Sequence, residues 1–112
     1  MKKFLIPFFL LIFLNAQDFS KIREKNIIEI NKIIDIYKNR LKCIENENIV
    51  NECIEKFPNN PKSDNLAKVF SSSFPKSFYI NTLIRDIKIL EKEKICWGKA
   101  INKSEAIKCL KN

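Results

Sequence analysis

From Phe19 to Ile44 the apolar positions return every three to five residues: Phe19, Ile22, Ile27, Ile30, Ile34, Tyr37, Leu41 and Ile44. That period is closer to 3.6 than to 2 and predicts one long helix over 19–45 with a broad apolar face. Ile28, Ile33 and Ile36 widen the arc beyond a narrow stripe, which implies more than one packing neighbour and leaves homodimerisation open. Lys21, Arg23, Glu24, Lys32, Lys38 and Arg40 fall largely off the face and are expected in water. A second stripe, Ile80, Leu83, Ile84, Ile87 and Leu90, predicts another long helix from 76 or 77 to about 99. Arg85, Asp86, Lys88, Glu91, Lys92 and Glu93 supply its wet side.

The intervening and terminal segments carry punctuation. Glu45 to Asn48 reads ENEN, a turn, and a short helix is expected over 49–56. Phe57, Pro58, Asn59, Asn60 and Pro61 stop it. A brief helix over 66–70, capped by Ser63 or Asp64, precedes a second break at Ser71, Ser72, Ser73, Phe74 and Pro75. Gly98, the single glycine, marks an end or bend of the second long helix. Asn102 with Glu105 has the spacing of a capping box for a last helix over 104–111.

These elements predict an all-α protein: two long helices in an antiparallel hairpin, each followed by a short disulfide-clipped helix. The expected organisation is a targeting segment over 1–16 and one small domain over 17–112. Within it, 19–56 forms a first helical half, 57–76 a linker and 77–112 a second half. KCIENENIVNECIEK and ICWGKAINKSEAIKCLK align with a three-residue gap, a weak internal repeat that duplication or biased composition could each produce.

The targeting reading rests on Lys2 and Lys3, then an uncharged apolar run from Phe4 to Leu14, then Ala16 as a small residue at a cleavage point. Eleven residues is short of the roughly 20 that a membrane span needs, so a cleaved signal peptide is expected rather than an anchor. Export implies a periplasmic or secreted protein and makes the four cysteines candidates for disulfides. The chain carries 21 Lys and Arg against 13 Asp and Glu, a net charge of +8. Ile, Lys and Asn dominate, the signature of AT-rich codons, so the charge is weak evidence for any partner.

Cys43 and Cys53 bracket the ENEN turn, and Cys96 and Cys109 bracket Gly98 and Asn102. Turn formers inside both intervals favour local pairing, 43–53 and 96–109, since Cα atoms must approach to about 4.4–6.8 Å. The alternative is 43–109 with 53–96, a staple between antiparallel helices. The C-x9-C interval from Cys43 to Cys53 resembles that of the twin CX9C helical hairpin proteins, and the resemblance implies this second pairing. The twelve residues between Cys96 and Cys109 depart from that pattern.

With no histidine in the chain, the usual catalytic triads are excluded and the commonest general base is missing. The cysteines form no CxxC, and four thiolates at these spacings make a poor zinc site. Glu91 with Glu93 and Glu45 with Glu47 sit in charged surface contexts. No catalytic residue, metal ligand or cofactor site is therefore expected. Trp97, beside Cys96, either packs at the helix junction or anchors a protein partner. Phe74, Phe78 and Tyr79, with Phe70, either close the core over the linker or line a groove for a partner. Scattered lysines lack the clustered stripe of a nucleic-acid reader. The expected role is a non-enzymatic interaction module for an envelope protein, of inhibitor or immunity type. The alternative is a basic surface protein for anionic lipid head groups or polyanions.

Overall fold

The structure, a computed structural model, describes residues 16–46 and 49–109. The targeting segment over 1–15, Glu47 and Asn48 of the expected turn, and 110–112 lie outside the described residues. Among the described residues five helices follow in order: α1 Ala16–Glu45, α2 Val50–Lys56, α3 Pro61–Ser73, α4 Lys76–Lys99 and α5 Lys103–Cys109. The fold is the expected all-α one, with two long antiparallel helices each followed by a short helix that a disulfide clips. Cys43 pairs with Cys53 and Cys96 with Cys109, each with Cα atoms 5.8 Å apart, and no cysteine is free. The alternative pairing, 43–109 with 53–96, is thus overturned: a turn folds each short helix back onto the end of the long helix before it.

The chain forms two compact units. In Lys32–Leu90, the end of α1 runs against the start of α4. Lys76 Nζ lies 3.5 Å from the Ile44 carbonyl, and Arg40 Nη1 3.2 Å from the Tyr79 hydroxyl, so the two helices are antiparallel there. Ile44, Val50, Cys53, Ile54, Tyr79 and Leu83 form the core of this unit, with Tyr37, Leu41, Cys43, Ala67 and Ile80 packed against it. The other unit combines 16–31 with 91–109. Its buried set is Phe19, Ile30, Trp97, Ala100, Ala106 and Cys109, and Arg23 Nη1 donates to the Ala100 carbonyl at 2.8 Å. Ile28 and Ile84, read as apolar-face positions, are exposed, whereas Glu93, read as wet, is buried.

Local chemistry sets the helix ends. Asn60, rather than Ser63 or Asp64, caps α3: its Oδ1 accepts from the Lys62 and Ser63 amides at 3.0 and 3.3 Å, and Pro61 fits the first turn. The helix therefore starts five residues before the expected 66. It also runs through the serines. The hydroxyls of Ser71, Ser72 and Ser73 donate to the carbonyls of Ala67, Lys68 and Val69, four residues back. The break falls at Phe74, which takes the extended backbone (φ −130°, ψ 159°) that Pro75 demands of its predecessor. At α5, Asn102 Oδ1 accepts from the Glu105 amide at 3.0 Å, while Glu105 Oε1 reaches back to the Ile101 amide at 3.1 Å. This is a capping box displaced by one residue on its return bond.

Gly98 does not end α4, which continues to Lys99. Its φ lies outside the left-handed region, and a Cβ added there meets nothing within 4 Å. The residue is a solvent-facing helical glycine. Gly98→Ala is therefore expected to stabilise the protein by about 0.5–1 kcal/mol, read from urea unfolding of the oxidised form. The disulfides close short loops, with partners 10 and 13 residues apart. Replacing Cys96 and Cys109 together by Ser is expected to cost about 2–4 kcal/mol in the same assay.

Candidate functional site

α1 delivers Arg40 to the middle of the Lys32–Leu90 unit. Arg40 is one position before Leu41 and four before Ile44, so it points at the core face and is only 2 % exposed. The expectation of a solvated Arg40 is corrected. Each of its three guanidinium nitrogens donates a hydrogen bond. Nη2 donates to Asp64 Oδ1 at 2.8 Å, Nε to the Phe57 carbonyl at 2.8 Å and Nη1 to the Tyr79 hydroxyl at 3.2 Å. The guanidinium carbon also stands 5.6 Å from the Tyr37 ring centre. Asp64 in turn accepts the Asn59 amide on Oδ2 at 2.9 Å. One side chain thus joins α1 to the 57–60 connection, to α3 and to α4.

The electrostatics follow from burial and pairing. Burial alone would lower the Arg40 pKa, but the hydrogen bond to Asp64 and the neighbouring tyrosine outweigh it and the pKa is raised. Burial alone would raise the Asp64 pKa, but the bonds from Arg40 and the Asn59 amide hold it below the usual carboxylate range. Burial pushes the Tyr37 and Tyr79 hydroxyls above the ordinary tyrosine value.

This network floors a groove of about 470 Å³. Leu66, Ala67 and Phe70 of α3 form one wall, and Phe78, Thr82 and Leu83 of α4 the other. The lining charges pair off: Arg40 with Asp64, and Arg85 with Asp86 at 3.6 Å. The groove is mostly apolar and electrically balanced, a surface for neutral or apolar groups more than for an ion.

Beside it stands an aromatic cluster. Phe70, Phe74 and Phe78 are 4.6, 4.9 and 5.2 Å apart between ring centres, within the range of favourable aromatic pairs. Their residues are 37, 45 and 46 % exposed, and Leu66 and Val69 extend the patch along α3. Of the residues singled out as partner contacts, the structure thus puts Phe74 and Phe78 on the surface. Tyr79 lies in the core beneath the groove, and Trp97 is completely buried in the other unit. Trp97 Nε1 has no hydrogen-bond partner among the described residues. Cys43, Cys53, Cys96 and Cys109 all serve the two disulfides. Among the described residues, no three His, Cys, Asp or Glu side chains are placed to hold a metal ion, and no helix is long and apolar enough to cross a membrane.

The Arg40–Asp64 pair escaped sequence reasoning, although the spacing from Arg40 to Ile44 carries its signal. Nothing in the sequence announces Asp64 as the partner. Fold and surface together describe a two-disulfide helical protein with the α3–α4 groove, a second cavity of similar volume lined by Ile54, Pro58, Pro61 and Lys68, and an exposed aromatic patch. No family model, curated protein or solved structure matches the chain.

Removing one member of a buried pair strands the other charge. Asp64→Ala is expected to cost about 3–5 kcal/mol in urea unfolding, and Arg40→Met with Asp64→Leu to cost less than Asp64→Ala alone. Because the folded-state pKa of Asp64 is depressed, the pair contributes fully above the unfolded value of about 3.9 and fades as pH falls through the lower folded value. Stability measured from pH 5 downward is expected to fall more steeply in the parent than in Asp64→Asn.

Proposed function

We propose that this protein is a small exported module without enzymatic activity that binds another protein of the cell envelope, in the manner of an inhibitor or immunity factor. The observation that carries the reading is the groove between α3 and α4, with apolar walls and internally neutralised charge, beside exposed phenylalanines. Exposed apolar surface rimmed by polar residues is a common mark of protein-binding grooves. The occupant is an apolar side chain or helix face of the partner. Phe78 and Leu66 flank its entry, and the buried Arg40 network keeps the floor rigid. The two disulfides fit an oxidising, extracytoplasmic compartment. The basic, then apolar, then small-residue pattern of 1–16 supports a cleaved signal peptide and a periplasmic or secreted location.

A photo-crosslinking residue in place of Thr82, on the groove wall, tests this in the producing cell. A second probe replaces Ile101, which is 72 % exposed and lies in the other unit. The expected result is a discrete adduct with one envelope protein from position 82 and none from 101. No adduct from position 82, the same adducts from both positions, or an adduct of twice the chain's own mass would each overturn the reading.

A further inference from the structure

We propose that the tip of the α3–α4 hairpin, centred on Phe74 and adjoining the groove, is a second contact surface, and that it docks on an anionic lipid bilayer. Phe74 lies in the two-residue connection Phe74–Pro75, with Phe70 one helical turn before it and Phe78 one turn after it. The three rings touch one another and face water rather than the core. Phe70 and Phe78 also line the groove, whereas Phe74, in the connection itself, does not. Such a wedge suits insertion between lipid head groups, whereas a protein hot spot more often fills a pocket.

The charge around the wedge selects the occupant. No Asp or Glu occurs between residues 65 and 85, in a chain that has 13 of them, while Lys68, Lys76 and Arg85 fall in this stretch. Asp64, just before it, is buried and held by Arg40. Lys68 leans towards Glu55 at 3.2 Å, Arg85 touches Asp86 at 3.6 Å, and Lys76 leans only towards the Ile44 carbonyl at 3.5 Å, a neutral partner that leaves its charge uncompensated. Lys76, exposed and two residues from Phe74, is thus the cation placed to meet lipid phosphates at the tip. Ser71, Ser72 and Ser73 return their hydroxyls to the α3 backbone, which keeps the tip helical and its apolar side free of competing donors. Apolar insertion with basic flanks is the chemistry that anionic leaflets attract.

Co-sedimentation tests this with purified oxidised protein, carrying the same N-terminus in every sample. The vesicles are phosphatidylcholine alone, or phosphatidylcholine with about a third phosphatidylglycerol. The parent is expected to sediment with the anionic vesicles and to be released as salt is raised well above physiological strength. Phe74→Ser is expected to weaken that binding about tenfold, with thermal unfolding unchanged. Lys76→Gln is expected to reduce the preference for anionic over neutral vesicles. Absence of parent binding, or a Phe74 variant that binds like the parent, would overturn the proposal. So would vesicle-independent loss of the position-82 adduct in the Phe variant, which would assign the tip to the protein partner. A groove variant, Thr82→Arg, separates the two readings: it is expected to abolish the protein adduct and leave vesicle binding intact.

Discussion

A buried guanidinium is tolerable only if it is well partnered, and each of the three Arg40 nitrogens donates to a partner from a separate segment. The constraint acts on geometry more than on net stability, because desolvation offsets much of the attraction in such pairs. Asp64 must be at one place, the Phe57 carbonyl at another and the Tyr79 hydroxyl at a third. Once they are, the angle at which α3 leaves the 57–60 connection is set, and with it the opening between α3 and α4. The groove is the gap that remains when α3 is held by an arginine beneath it rather than by apolar packing along its whole length. The aromatic patch has the same origin, since among the described residues nothing covers the face of α3 turned away from Asp64.

The rest of the framework is economical. A chain of this size buries a thin core, and each short helix offers only a few apolar groups: Val50, Cys53 and Ile54 in α2, Ala106 and Cys109 in α5. Neither helix is long enough to persist in water without support. The disulfides provide it by fixing each to the end of the long helix that precedes it. Capping completes the work at α5, where Asn102 and Glu105 satisfy backbone donors on both sides of the helix start. At α2, Ile49 supplies no side-chain cap, and the disulfide with the apolar core carries that end.

Much of this was legible from residue spacing. The 3.6-residue period located both long helices, and turn formers between the cysteines pointed to the pairing. What the sequence hid was long-range or depended on competition. Arg40 lies on the core face by its spacing to Ile44, yet charge argued for solvent, and its partner is 24 residues away. The serines at 71–73 favour breaks on average, but with carbonyls four residues back available they join the helix. Gly98 shows the reverse: its type suggests a helix end, but none of the conformations only glycine can take is used. Of the aromatic candidates, Trp97 and Tyr79 went inward and Phe74 and Phe78 outward. Residue type could not separate them, because their fate depends on where the hairpin connection falls.

Both covalent bridges are confined to neighbours in sequence, so no bond other than the backbone spans the stretch between Cys53 and Cys96. A single protease cut in the 58–60 connection would therefore yield two fragments, each keeping its own bridge and cohering with the other only through non-covalent contacts, the Arg40 network and the Arg23–Ala100, Lys76–Ile44 and Lys68–Glu55 pairs among them. Mild denaturant would part them with no reductant present.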